Sequence, residues 1–368
     1  MNLTEQRQIL ELIVGDEERA RSSAMATIVR TEGSTYRRAG ARLLVNADGP
    51  ILGNLSGGCL EGEMTIEAER VLADGLPTLL IYDLSADDEA IWGWGLGCNG
   101  TMEVFIEPAA TWRGAARSIA AALDEGRSVA IATTITSHST ELVGSHLVMM
   151  SDGSIAASTG RSDWDEKLVA PVREALATRR HTLISIEDAR IFIEALVVPD
   201  VLVIFGAGHD AVPVGRVCSE LGFEIVVVDD RDTFLSDERF PNADAFLKPA
   251  QVVDLEKRYP DANLHAVVMT HNYLRDLDYL EMLSNQTWTY VGVLGPQRRL
   301  QRLLRDLEGK GTAVTEEWRS LLHGPAGLDL GAEGPEEIAV AIAAELLAVR
   351  NGRGGGFLRE RGSPIHGA

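Results

Sequence analysis

Three things are scarce in this 368-residue chain, and each scarcity removes a class of protein. Cysteine occurs only at Cys59, Cys98 and Cys218. That is too few, and an odd number, for a disulfide framework, so a reducing compartment is expected. Positive charge is short: 34 Lys and Arg stand against 55 Asp and Glu, a formal net charge of −21. A polyanion is repelled by nucleic acid and by anionic membrane surfaces, so neither is expected as a partner. No apolar run approaches the roughly 18–20 residues that cross a bilayer. Met1 to Val14 has no basic start followed by an apolar core, so it does not read as a signal peptide. The expectation is a soluble, cytoplasmic protein.

What is present reads as globular. Hydrophobic residues make up 45% of the chain and charged ones 24%, close to the soluble average. At roughly 100–200 residues per domain, the length suggests two domains with cores of their own. The fold class expected is α/β: a C-terminal Rossmann-like doubly wound parallel sheet plus an N-terminal mixed α/β domain. The boundaries expected are 1–195, 196–350 and a loose Gly- and Arg-rich tail, 351–368.

In the first part, Leu3 to Val14 has helical spacing, as does Leu60 to Asp74. Short apolar runs at 24–29, 42–45, 78–82, 102–106 and 128–133 read as strands, and Asn46-Ala47-Asp48-Gly49 is a hairpin signal. The topology of this part is not readable. The second part alternates regularly: strands at 201–205, 225–228, 266–269 and 290–294, with helices at 211–221, 249–259, 277–283, 298–307 and 335–349. That alternation means parallel pairing.

Val201 to Phe205 runs directly into Gly206-Ala207-Gly208-His209-Asp210-Ala211, a G-x-G-x-x-G/A match between a strand and a helix, and the next strand ends in Asp229-Asp230. This is the dinucleotide-binding context. The glycines Gly206 and Gly208 let the backbone approach a pyrophosphate at a helix N-terminus, and His209 is placed to touch a phosphate. Asp229 is expected to accept a ribose hydroxyl, which favours NAD. His271, in the loop after the third strand, is a candidate acid–base residue or an ordinary hydrogen-bonded loop histidine.

Two further loops carry chemistry-bearing residues. Ser34, Thr35, Arg37 and Arg38 form a basic, hydroxyl-rich loop, readable as a phosphate clamp or as plain surface. Gly57-Gly58-Cys59 opens a helix, where a thiol is acidified, and Gly97-Cys98-Asn99-Gly100 repeats the theme. Cys59 and Cys98 are the sulfur-handling candidates, whereas Cys218 within a helix reads as a small buried hydrophobe. Neither C-x-x-C spacing nor paired histidines support a metal site.

These blocks together resemble the XdhC/CoxI family of xanthine dehydrogenase accessory proteins. The resemblance is carried by Glu32-Gly33-Ser34-Thr35, Arg38-Ala39-Gly40-Ala41, Gly57-Gly58-Cys59-Leu60-Glu61 and the Gly97-Cys98-Asn99-Gly100 loop. It continues through Phe205-Gly206-Ala207-Gly208-His209, Tyr290-Val291-Gly292-Val293-Leu294-Gly295-Pro296 and the stretch from His323 to Ala339. It implies a chaperone that binds molybdenum cofactor as a pterin or its dinucleotide, supports or protects the sulfurated form, and delivers it to a molybdenum hydroxylase client. Cys59 or Cys98 would then contact the metal or its terminal sulfur, with a cysteine desulfurase as a further candidate partner. A homodimer is expected on base rate alone. The alternative reading is an NAD(H)-dependent oxidoreductase acting on a small molecule, and a third is a regulatory nucleotide-binding module.

Overall fold

The computed structural model describes residues 3–46, 48–58, 60–83 and 99–362, and it divides into two units, Met1–Val198 and Pro199–Ala368. The first unit begins with α1 (Leu3–Gly15) and α2 (Glu17–Arg21), the latter capped by the Asp16 carboxylate accepting the Arg19 amide at 2.9 Å. There follow β1 (Ser23–Ser34), β2 (Arg42–Asn46), β3 (Gly49–Gly53), α3 (Glu61–Asp74), β4 (Thr78–Asp83) and β5 (Asn99–Pro108). Then come α4 (Arg113–Asp124), β6 (Val129–Thr136), β7 (His146–Met150), β8 (Ile155–Ala157), α5 (Ser162–Thr178), β9 (Thr182–Ile186) and β10 (Ala189–Leu196).

These elements form the same pattern twice. One antiparallel sheet has the order β3-β2-β1-β5-β4 and the other β8-β7-β6-β10-β9. Each is preceded by helix and carries one long helix between its third and fourth strands. The sequences superpose without a gap from Gly40 onto Gly144 through Tyr82 onto Ile186. Along that register Leu60, Met64, Ala68 and Val71 of the first half are buried, and so are their counterparts Trp164, Leu168, Val172 and Ala175. The left-handed helix cap is Gly75 (φ 69°) in one half and Arg179 (φ 54°) in the other.

The halves meet through matched residues. Val29 and Phe105 from the first pack with Ile135 and Phe192 from the second, flanked by Leu79 and Leu183 and by Ala39 and Val143. Buried polar pairs cross in both directions. Arg42 on β2 pairs with Glu194 on β10, and its counterpart His146 on β7 pairs with Glu107 on β5 at 3.0 Å. Trp112 lies between them: its Nε1 donates to Glu107 at 2.6 Å, the Arg42 guanidinium sits 4.7 Å from its ring centroid, and the His146 ring lies at 4.4 Å.

The second unit contains β11 (Val201–Phe205), α6 (Ala211–Glu220), β12 (Glu224–Val228), β13 (Ala245–Leu247), α7 (Leu255–Arg258), β14 (Leu264–Val268) and α8 (Tyr273–Leu283). It closes with β15 (Tyr290–Val293), α9 (Gln297–Gly309), α10 (Glu316–Ser320), β16 (Leu322–His323) and α11 (Pro335–Arg350). The sheet is parallel throughout, in the order β13-β12-β11-β14-β15-β16. This is the Rossmann order, with its switch point between β11 and β14. Alternate residues of β11 explain the two-layer cover. Val201, Val203 and Phe205 join the core under α8 and α9, whereas Leu202 and Ile204 join the one under α6 and α11. Helix α9 turns Leu300, Leu303, Leu304 and Leu307 inward at helical spacing. The sheet has six strands where the sequence suggested four, because β13 and β16 are only three and two residues long. Among the described residues no helix is long and apolar enough to cross a membrane.

Candidate functional site

The glycine turn after β11 stands at the switch point. Gly206 adopts φ +105°, and a Cβ there would lie 2.8 Å from the Thr270 Cα, so only glycine lets this turn pass the loop after β14. Gly208 differs. A Cβ there would meet nothing closer than the His271 ring at 4.0 Å, so its bareness leaves backbone open rather than relieving a clash. His209 is exposed at the crest of the turn. His271 is held in a left-handed conformation (φ 57°), and its Nε2 lies 2.9 Å from the Asp210 carboxylate inside the turn. The structure therefore brings His271, Asp210 and the glycines together on one edge.

Asp229 directly follows β12 beside them, 1% exposed. Its Oδ2 accepts the Ala207 amide and Arg231 Nη2, both at 2.8 Å, and its Oδ1 accepts the Arg231 amide and Nε, both at 2.9 Å. Burial alone would raise its pKa. The hydrogen bonds from Arg231 and Ala207 outweigh that and hold the carboxyl well below the usual range. The other acids of this edge are paired as well. Asp230 meets Arg275 at 2.6 Å, and buried Asp276 accepts Arg299 at 2.6 Å and the Thr270 hydroxyl. Beside α6 lies a cavity of about 230 Å³ lined by Arg216, Glu238, Arg239 and Phe240 among others. The Nη2 of Arg239 reaches the Ala207 carbonyl at 3.1 Å.

In the first unit the basic loop and the Gly57 turn also meet. A Cβ on Gly57 (φ +72°) would lie 3.2 Å from the Tyr36 ring, so the ring covers that glycine, while Gly58 (φ +117°) has open space. The Thr35 hydroxyl donates to the Arg37 carbonyl at 2.8 Å. Arg37 is turned inward, onto Glu5 at 2.6 Å and Asn54 at 3.1 Å, whereas Arg38 is exposed. Of the expected two-arginine clamp, Arg38 is the outward member. Ser34 ends β1, and Cys59 and Cys98 lie outside the described residues.

The turn preceding Cys59 is organised by Glu61, which the sequence marks only as the end of the Gly57-Gly58-Cys59-Leu60-Glu61 block. Its carboxylate accepts the amides of Leu55 (3.3 Å) and Ser56 (3.1 Å) and the Ser56 hydroxyl (2.6 Å). Burial pushes its pKa up, but these hydrogen bonds win and leave it lowered. Its counterpart Asp165 does the same work in the second half, accepting the Thr159 amide at 3.1 Å and the Ser158 and Thr159 hydroxyls at 2.6 Å. Cys218 is fully buried in α6, where burial pushes its thiol up to about 12, as befits a core residue.

The XdhC Rossmann domain matches residues 202–346, and the XdhC and CoxI family model matches residues 17–83. A Bacillus subtilis protein named as a probable xanthine dehydrogenase subunit is 33% identical over 347 residues, covering 93% of this chain and 96% of that one. The chain belongs to the XdhC/CoxI family. A crystal structure titled as a xanthine dehydrogenase from Bacillus halodurans superposes with a TM-score of 0.72 at 31% identity, covering 95% of this chain and 96% of that chain. An uncharacterized Escherichia coli protein, YqeB, is 30% identical over 247 residues, which is 61% of this chain and 44% of that protein. The two family models thus fall one in each unit of the chain.

Proposed function

We propose that the protein binds molybdenum cofactor as cargo, keeps its sulfurated form intact and delivers it to a xanthine dehydrogenase-type molybdenum hydroxylase. One observation carries the reading beyond family membership: the duplicated first unit contains its own control. Both halves need a turn leading into the long helix, and both anchor it with an acid, Glu61 or Asp165. In the second half Arg161-Ser162-Asp163 close that turn directly into helix α5. The first half has Gly57-Gly58-Cys59 at the same register, with both glycines at positive φ and helix α3 starting only at Glu61. The scaffold does not require this open, side-chain-poor segment beside a thiol. A ligand approaching the backbone does.

The Rossmann turn of the second unit supplies amides for a phosphate of the pterin, mono- or dinucleotide. A molybdenum hydroxylase client and a cysteine desulfurase acting as sulfur source are the partners of this reading, and the cytoplasm is its compartment. The NAD(H)-dependent oxidoreductase alternative draws support from the His271–Asp210 pair. It also needs Asp229 to accept a ribose hydroxyl, and that carboxylate is already filled.

Anaerobic binding of molybdenum cofactor, NAD and NADH to wild type and Cys59→Ala tests the proposal. Tight cofactor binding that weakens in the variant supports it. Binding of NAD with no affinity for molybdenum cofactor sinks it and favours the oxidoreductase.

A further inference from the structure

A carboxylate has about four lone-pair sites. Asp229 has all four engaged: the amides of Ala207 and Arg231, and Nε and Nη2 of Arg231. In a Rossmann site this position ordinarily accepts the 2′-hydroxyl of an adenosine ribose, and a nearby arginine instead accommodates a 2′-phosphate. Here the acid has no site left to offer a hydroxyl proton. The group presented outward is the Arg231 guanidinium, whose side chain is 40% exposed. Because Nε and Nη2 face the carboxylate, the Nη1 edge faces away from it. The guanidinium is also fixed across its face, lying 3.7 Å from the Phe234 ring centroid, with Arg239 at 4.8 Å from the same ring. A fork held on one edge by a carboxylate and on one face by a ring loses little freedom when it binds.

The neighbouring charges are accounted for. Asp230 is paired with Arg275, and Asp232 with Lys248, whose Nζ also donates to the Asp230 carbonyl at 3.1 Å. Each acid around Arg231 therefore has its own cation, and an incoming anion meets N–H donors rather than bare carboxylates.

We infer that Arg231, buttressed by Asp229 and Phe234, is a phosphate-monoester subsite, so that the Rossmann unit selects ligands bearing a phosphate where a plain dinucleotide carries a ribose hydroxyl. This inference does not rest on molybdenum cofactor being the cargo. The shared chemistry is a doubly charged phosphate with three acceptor oxygens, whether on a 2′-phosphorylated adenosine or at the end of a phosphorylated pterin.

The test is calorimetric titration of the full chain with adenosine 2′,5′-bisphosphate and with adenosine 5′-monophosphate. The bisphosphate is expected to bind more tightly by about tenfold or more at low salt. Arg231→Ala frees two acceptor sites on Asp229, so the preference should reverse, the monophosphate gaining and the bisphosphate losing. Arg231→Lys keeps the charge without the fork, and should keep the preference in reduced form with an unchanged melting temperature. Equal affinities in wild type, a wild-type preference for the monophosphate, or no binding of either at millimolar concentration would overturn the inference. Failure here leaves the delivery proposal standing, because that proposal is read from molybdenum cofactor and Cys59. Pterin monophosphate binding that survives Arg231→Ala, beside a retained bisphosphate preference in wild type, assigns the subsite to the adenosine ligand alone.

Discussion

Replacing Glu194 by Gln should be among the most damaging conservative changes in the first unit, far more so than the same change at its counterpart, Glu107. The two positions are related by the duplication, are each 1% exposed, and each bonds a basic side chain from the opposite half. They differ in what remains after the charge is removed. Arg42 is 2% exposed and cannot shed its proton, so Glu194→Gln leaves an uncompensated charge inside the protein. Breaking such a pair from one side typically costs about 3–5 kcal/mol. Glu107→Gln leaves an imidazole, which can be neutral, and the new amide can still accept from Trp112 Nε1 and bond His146. About 1–2 kcal/mol is then expected, the scale of a weakened hydrogen-bond network. The assay is urea unfolding followed by far-UV circular dichroism, alongside a thermal melt. For a unit of this size the Glu194 variant should lose roughly 6–20 °C in its transition. Equal losses for the two variants, or none for Glu194→Gln, would refute the claim that the crossing pairs are chemically unequal supports of one duplicated core.

The two glycines of the Rossmann turn should separate structure from binding. Gly206→Ala should destabilise the second unit by about 1 kcal/mol or more, because the backbone is left-handed and the Thr270 backbone blocks the methyl. Gly208→Ala should leave the melting temperature nearly unchanged while weakening nucleotide binding, since its Cβ points into open space that a ligand would need. Glu61 has a folded pKa below its unfolded one, so its contribution is full above the unfolded carboxylate range, near pH 4.3, and fades as pH falls through the lower folded value. Stability measured from pH 7 to pH 3 should therefore fall less steeply in Glu61→Gln than in wild type. In a Cys59→Ser/Cys98→Ser background, Cys218 should be inert to a thiol reagent at pH 8 until urea unfolds the chain, because burial suppresses its thiolate.

The second unit was legible because its signals are local and continuous. Val201 to Phe205 is apolar on both faces, as a central parallel strand must be, and the glycine spacing follows it at once. The first unit hid its topology for identifiable reasons. Its edge strand β9 faces water at Thr182 and Ser185, so its pattern is diluted. Helix α5 carries Pro171 in its interior and is not among the elements expected from sequence, nor are β9 and β10. The duplication rests on matched burial, such as Met64 with Leu168, rather than on identity, and becomes visible only once the sheets are known. At the sites, glycine positions could be read, but the engagement of charges could not. Arg37 reads as free in the sequence, but Glu5, far off in α1, holds it, and Asp229 reads as a ribose acceptor, but Arg231 folds back onto it. A basic residue two positions after the acid was the one available signal.

That folding back bears on how so acidic a chain can hold an anion at all. With a net charge of −21 the long-range field opposes phosphate ligands, yet at physiological salt that field decays over about 8 Å, so the charges next to the ligand decide. Around the Rossmann turn those charges are arranged in pairs: Asp210 with His271, Asp229 with Arg231, Asp230 with Arg275, Asp276 with Arg299. Each acid orients the side chain it bonds, and Arg231, Arg275 and Arg299 neutralise theirs, so the edge keeps directional donors with little bare negative charge. Removing any one acid would unfix its partner, whereas removing the cation would expose a carboxylate to the phosphate. Alanine in place of Arg275 or Arg231 should accordingly weaken binding of adenosine 2′,5′-bisphosphate more than alanine in place of Asp230, with the difference shrinking as salt is raised.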